Sequence, residues 1–434
     1  MYKDIIKRIA NIETVSHIGK IENIVGMAIE ASGDKATIGD IGMIYSESMD
    51  KHIPAEVVGF KENKILLMPY ENISGISSGS FIRNTGNRLK IPVGEGLKGK
   101  VIDAMGNPID VGVSFKAEGH RYVDSKYTNP LTRPPIQEKL EFGVKAIDGI
   151  LTIGKGQRVG IFAGSGVGKS TLLGMIAKNV KADINVIALV GERGREVREF
   201  IEKDLGPEGL ARSILVVATS DQPAMLRLKC PMVATAIAEY FKDQGKDVLL
   251  MMDSLTRFAM AQREIGLAIG EPPIARGYTP SIYAEMPKLL ERSGKFENGS
   301  ITGVYTVLVE GDDTNEPIAD IVRGILDGHI VLSRRLANEN HFPAIDINAS
   351  ISRLMSTIAD KEHQMLASKL RDISSIYEKN LDLISIGAYK SGSNPKLDDA
   401  ISKIDKINSF LKQGVSESFT MQQTLEMLAD ILGD

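Results

Sequence analysis

Apolar residues follow three successive rhythms along this chain. Over residues 20–95 they alternate in short stretches: Val25, Met27 and Ile29, then Ala36 and Ile38, then Val57 and Phe60 less regularly. Turn formers interrupt them at Asp34, Glu62-Asn63 and Gly86-Asn87, so this part predicts short strands without helices between them, a small β-barrel. From about 140 the apolar residues gather into continuous runs at 159–162, 184–190, 214–218, 248–252 and 304–309. Continuous runs suit strands buried on both faces, and helical periodicity between them predicts a parallel sheet covered by helices. One such helix is expected over 231–241, with Pro231 at its first position. After about 350 the pattern turns helical and more polar, with a Gly-Ser-Asn-Pro break at 392–395. Residues 1–16 set Ile5, Ile6, Ile9 and Ile12 among Lys3, Asp4, Lys7 and Arg8, the spacing of a short amphipathic helix. That helix packs on its own domain or docks a partner; the pattern fits both.

These rhythms divide the chain into an N-terminal segment (1–19), a barrel domain (20–95), an α/β domain (96–345) and a helical C-terminal domain (346–434). Residues 96–135 read as a connector that stiffens at Pro134-Pro135. No internal repeat or long low-complexity tract is visible.

Composition narrows the possible partners. Of the 434 residues 43% are hydrophobic and 25% charged, ordinary for a globular chain of two to three domains. Net charge is −4, Trp is absent and aromatics are 5%. Nucleic acid is therefore not an expected partner: there is no overall basic field and few rings on which bases could stack. Cys230, the single cysteine, can form no internal disulfide; it reads as a small buried residue in a reducing cytosol. The opening MYKDIIKRIANIETV is too interrupted by charge for a signal peptide. No apolar run is long enough to span a bilayer. The expected location is cytoplasmic, with any membrane association made through partners.

The chemistry concentrates at 158–180, RVGIFAGSGVGKSTLLGMIAKNV. A buried strand leads into Ala163, Gly164, Ser165, Gly166, Val167 and Gly168, and then Lys169, Ser170 and Thr171 open a helix. This is the context of a phosphate-binding P-loop. Glycines let backbone N–H groups wrap an anion, and the helix adds its positive end. Lys169 would place charge on the β/γ-phosphates of ATP, and the Ser170 hydroxyl would coordinate Mg²⁺. Ala163 stands where the motif ordinarily begins with Gly, a change of little consequence unless that position needs a positive φ. The run at 248–252 ends in Asp253, placed to hold Mg²⁺ directly or through water. The run at 184–190 leads to Glu192, which either sits in a solvated turn or polarises the attacking water.

Four longer stretches carry a resemblance: GERGREVREF at 191–200, SLTRFAMAQREIGLAIGEPP at 254–273, YTVLVEGDDTNEPIADIVRGILDGHIVLSR at 305–334 and DINASISRLM at 346–355. They resemble the catalytic domain of the flagellar and type III secretion export ATPases, relatives of the rotary ATP synthase α and β subunits. The likeness extends weakly into GKVIDAMGNPID at 99–110, and the flagellar branch is the more similar. The resemblance implies an α/β P-loop NTPase with a RecA-like parallel-sheet core, an N-terminal barrel and C-terminal helices. It implies hydrolysis of ATP to ADP and phosphate by a homohexameric ring that energises protein export. Glu192 would activate water and Arg193 would organise the subunit interface. Arg353 would act as an arginine finger in the neighbouring subunit's site, and Arg257 would lie close to the γ-phosphate. Phe342, which by itself reads as a core residue, would stack on adenine. The implied partners are copies of the chain, the stator or regulator, stalk and export gate of the flagellar apparatus, and substrate–chaperone complexes.

Four other readings compete: a virulence secretion ATPase, an RNA-stimulated ring translocase, a rotary synthase subunit that works only in a hetero-oligomer, and a non-enzymatic nucleotide-binding scaffold, against which the water activator, metal ligands and finger all weigh. Charge and aromatic scarcity weigh against RNA. Lys169, Glu192 and Arg353 in one chain weigh against a subunit that needs a different partner for catalysis.

Overall fold

The structure, a computed structural model, describes residues 18–33, 35–45, 52–110, 112–124, 129–309 and 316–433. The expected N-terminal helix and the turn at Asp34 lie outside these residues.

Six strands close the barrel: β1 (Ile18–Val25), β2 (Ala28–Ala31), β3 (Asp40–Tyr45), β4 (Ile53–Lys61), β5 (Lys64–Pro69) and β6 (Phe81–Arg88), in the order β1-β2-β5-β4-β3-β6. Closure leaves no free sheet edge. Ile21, Ile29, Ile44, Val57, Leu67 and Ile82 fill the interior. Glu62 and Asn63 turn β4 into β5 with φ of 48° and 65°, the left-handed pair a two-residue hairpin requires. Val25, Met27 and Ile29 do not share one strand. Gly26, at φ 60°, starts a hairpin that leaves Val25 and Met27 exposed while Ile29 is buried. The barrel residues through Lys90 form one compact unit with Gln222–Leu226 and Ala261–Ser281.

The second unit is built on a sheet. Its strands are β7 (Val101–Asp103), β8 (Arg158–Ala163), β9 (Ile184–Glu192), β10 (Ser213–Thr219), β11 (Asp247–Asp253), β12 (Ser300–Leu308), β13 (Gly328–Leu332) and β14 (Ile345–Ser352). They lie in the order β14-β13-β8-β12-β11-β9-β10-β7, all pairs parallel except β13–β14. Each long run of the sequence is a central strand. β7 falls inside the expected connector, because three residues carry too little pattern to be seen. β14 still belongs to the sheet, so the helices take over only after Ser352.

Helices α1 (Lys145–Ile150), α2 (Lys169–Asn179), α3 (Ala224–Asp243), α4 (Leu255–Ala268) and α5 (Pro317–Ile325) accompany the sheet. α3 corrects an expectation: Pro231 lies inside the helix, not at its start. Proline costs a backbone hydrogen bond there, but Val233, Ala234, Ile237 and Phe241 on the same helix are fully buried, and that burial outweighs the local preference. Three further helices, α6 (Lys361–Lys379), α7 (Pro395–Leu411) and α8 (Met421–Leu432), end the chain. Asn394 caps α7 with Pro395 at its first position, and a Thr420–Gln423 capping box opens α8. Phe410, Leu411 and Leu428 of these helices share one hydrophobic core with Ile161, Leu172 and Ile176. No described helix is long and apolar enough to cross a membrane.

Candidate nucleotide site

The site forms where β8, β12, β11 and β9 end side by side. Their registers pair Ala163 with Leu308, Met252 with Tyr305, and Leu189 with Asp253. Ala163 is the last residue of β8, fully buried and in ordinary strand conformation, so the position does not need glycine. The chain then enters the loop Gly164–Gly168. Gly166 and Gly168 take φ of 77° and 89°, which L side chains rarely adopt. A Cβ on Gly166 would meet open space, so that face of the loop is free for a ligand. Val167 is buried and pins the loop to the core, whereas Ser165 and Gly166 face outward. Gly168 caps α2, so the backbone N–H groups of Lys169, Ser170 and Thr171 stand at the positive end of an 11-residue helix.

Lys169 crosses from this loop to the strand ends. Its Nζ makes a hydrogen-bonded ion pair with Asp253 Oδ1 and lies 3.9 Å from Glu192 Oε1. Thr306 on β12 donates to the same Asp253 oxygen at 2.7 Å. The side chains of Lys169, Glu192 and Asp253 are 12%, 14% and 6% exposed. Glu192 Oε1 is buried with no hydrogen-bond partner. Burial and the neighbouring Asp253 push the Glu192 carboxyl up to about 7, with the Lys169 ammonium pulling the other way. Ser170 is exposed on the first turn of α2.

Arg257, on α4, donates its backbone N–H to Ser254 Oγ at 3.3 Å. Its side chain passes over Gly191, where an added Cβ would lie 3.1 Å from Arg257 Cβ. The guanidinium therefore sits near the end of β9, and its Nε has no hydrogen-bond partner. Phe342 is 41% exposed, and its ring lies 3.5 Å from where a Cβ on Gly168 would stand. It is beside the loop and not in the core.

Two expected site residues pair with other groups of their own chain. Arg193 is 74% exposed and pairs with Glu196 at 3.6 Å. Arg353 is exposed; its Nη2 donates to Arg323 O at 3.2 Å and its backbone N–H to Asp327 O at 3.0 Å. Ser352 pairs with Gly328 at the start of β13, while Leu332 at the other end pairs with Ala163. Four residues of strand, about 13 Å, thus separate the Arg353 end from the loop end.

Sequence reasoning missed Thr306 and Arg334. Arg334 Nη1 donates to Ser165 O at 3.4 Å. Neither position stands out in the chain, because only the order β13-β8-β12-β11 brings them to the loop and to Asp253.

A glycine loop between strand and helix, with carboxylates ending two adjacent strands, defines a P-loop nucleotide-binding protein. The nucleotide-binding domain profile of the ATP synthase alpha/beta family matches residues 143–352, and that family's beta-barrel domain matches residues 21–86. The T3SS EscN ATPase C-terminal domain profile matches residues 359–430. The chain is 56% identical to the flagellum-specific ATP synthase of Bacillus subtilis, over 97% of both chains. It is 46% identical to the type 3 secretion system ATPase of Xanthomonas euvesicatoria, over 99% of this chain and 97% of that one. The assembled ATPase EscN of the enteropathogenic E. coli type III secretion system superposes with a TM-score of 0.91 at 47% identity, covering 96% of this chain and all of that one. The chain belongs to the flagellum-specific and type III secretion ATPase family, and its reaction is the hydrolysis of ATP.

Proposed function

We propose that this chain forms a homohexameric ring that hydrolyses Mg²⁺-ATP to energise export of flagellar proteins through a type III secretion apparatus. Support for the flagellar branch comes from relatives at 48–56% identity that are flagellum-specific ATP synthases. Support for a ring comes from the assembled form of EscN, which was also solved in complex with its central stalk EscO. A stalk protein, a stator or regulator, an export gate and substrate–chaperone complexes are the corresponding partners here, met at the cytoplasmic face of the membrane.

The observation that carries the chemistry is the junction of Lys169, Glu192 and Asp253 beside an open glycine loop. Loop N–H groups from Gly164 to Thr171 cradle the phosphates, and Lys169 places its charge on the β/γ-oxygens. Ser170 and Asp253 offer the hard oxygen donors that suit Mg²⁺, and the Glu192 oxygen beside them has no protein hydrogen-bond partner and is an acceptor left for water. Bound there, Mg²⁺ neutralises phosphate charge. Glu192 orients the attacking water and accepts its proton; its raised pKa keeps it basic enough to do so near neutrality. Arg257 stabilises charge on the γ-phosphoryl group, Phe342 stacks on the base, Arg193 organises the subunit interface, and Arg353 completes the site of the next subunit.

Glu192→Gln tests this reading. The variant should bind ATP as the parent does and turn over at least about a hundredfold more slowly, the scale of a lost general base. Turnover at the parental rate would remove Glu192 from that role.

A further inference from the structure

The linker between α7 and α8 is tied to the nucleotide site by a single side chain. Gln413 is 5% exposed and spends every hydrogen-bonding group of its amide on backbone. Its Oε1 accepts from Lys145 N at 2.9 Å. Its Nε2 donates to Gly143 O at 2.8 Å and to Glu417 O at 3.0 Å. Its own backbone N–H donates to Phe342 O at 2.9 Å. Three partners from two distant parts of the chain, and a fourth from its own linker, meet on one residue.

The receiving end is stiff. Asp148 of α1 accepts from Phe142 N and Gly143 N at 2.8 Å and 2.7 Å, which fixes the 142–143 turn. Gly143 has φ 71°, and a Cβ there would lie 2.5 Å from Asn179 Cβ, at the last residue of α2. The turn is therefore clamped against the C-terminal end of the same helix whose N-terminal end forms the phosphate loop. Phe342 stands at that N-terminal end, with its ring against Gly168. Gln413 spans the two, and among the described residues its side chain alone hydrogen-bonds to both Gly143 and Lys145.

We propose that Gln413 is a positioning residue for the nucleotide base: by locking its own backbone between Gly143–Lys145 and Phe342, it holds the Phe342 ring at the loop. This rests on the reading of Phe342 as the base contact. The Gln413 amide is spent entirely on backbone, so its loss acts through Phe342: it weakens recognition of the base and spares recognition of the phosphates. A buried amide that loses its partners leaves Lys145 N–H and Gly143 O unsatisfied, and the 412–420 linker then no longer fixes Phe342. The position of the α7–α8 linker and the affinity for the base are thereby coupled.

The experiment measures ATP hydrolysis by the full chain, with inorganic triphosphate as a base-free competitor. Gln413→Ala should raise KM for ATP about tenfold, change kcat less than about twofold, and leave the inhibition constant of triphosphate unchanged. Gln413→Glu keeps the length and the acceptor but cannot donate to Gly143 O; it should shift the same ratio in the same direction, and it carries the readout if the Ala variant does not fold. A purely structural role would lower kcat or weaken ATP and triphosphate together, and either result overturns the proposal. Phe342→Leu separates the two layers. If it shifts ATP against triphosphate and the Gln413 variants do not, the base contact stands and Gln413 is not its support. If it shifts nothing, the base contact falls and the proposal with it.

Discussion

Asp253 is held from two directions. Lys169 reaches it from the phosphate loop, and Thr306 reaches it from the neighbouring strand, both at Oδ1. On the proposed reading Lys169 turns to the phosphates when nucleotide binds, which leaves Thr306 as the partner that stays with the carboxylate. Thr306→Val keeps the shape of the side chain and removes the donor. Hydrogen bonds to charged groups are worth more than neutral ones, and on the reading of Asp253 as a Mg²⁺ ligand a carboxylate that swings by one rotamer would no longer aim at the metal. The expected outcome is a fall of about tenfold in kcat, about 1.4 kcal/mol in the barrier, with a folded chain by circular dichroism. An unaltered kcat would make Thr306 a core residue and nothing more. At this scale the contiguous part of the site was readable: Gly164, Gly166, Gly168, Lys169 and Ser170 follow one another, and Asp253 and Glu192 each end an apolar run. Thr306, Arg334 and Gln413 were not, since their roles depend on partners 53, 169 and 270 residues away.

Elements carry a different kind of information. Long buried runs became central strands because nine residues such as Ile184–Glu192 leave no polar face to misread. The errors fall where local and tertiary preferences part. Pro231 looked like a helix start, but the burial of α3 carried the helix through it; β7 was too short to be seen; Gly26 folded an apparent strand into a hairpin. Packing between elements also makes a prediction. His363 on α6 is 1% exposed, with Nε2 2.8 Å from Gly149 O of α1 and 3.3 Å from Thr152 Oγ1. Burial lowers its pKa below the ordinary value; Lys139 acts in the same direction, and Asp360 and the Gly149 carbonyl oppose them. Below about pH 6.5 the unfolded chain takes up a proton that the folded chain resists. The stability present above that pH is therefore lost as pH falls, by at most about 1.4 kcal/mol per unit for this one group. His363 should therefore lower the thermal midpoint between about pH 7.5 and 5.5, against the buried Glu192 and Asp148 carboxyls, whose raised pKa values act the other way, and His363→Gln should remove that fall relative to its parent. A variant as acid-sensitive as its parent would exclude His363, leaving His329 and His341, whose pKa values burial also lowers.

For the whole molecule the deciding fact is the distance between Arg353 and its own phosphate loop. The pairings Ser352–Gly328 and Leu332–Ala163 fix them at opposite ends of the β13–β8 pair, so Arg353, if it is to act on a γ-phosphoryl group beside Arg257, must do so in another copy. On the proposed reading that is a head-to-tail contact, which closes into a ring and would leave an isolated subunit with an incomplete site. The test needs two inactive proteins. Lys169→Ala cannot hold the phosphates but still offers Arg353; Arg353→Ala holds ATP but offers no finger. Each alone should hydrolyse ATP at no more than about a thousandth of the parental rate, the scale set by removing an arginine finger. Mixed in equal amounts and allowed to exchange, they should recover up to about a quarter of the parental activity, because in a head-to-tail ring that fraction of junctions joins an intact loop to an intact arginine. Activity of the mixture should also rise faster than linearly with protein concentration, as assembly creates sites. If Arg353 served its own chain, every subunit in the mixture would carry one lesion in its own site, and no activity would return at any concentration.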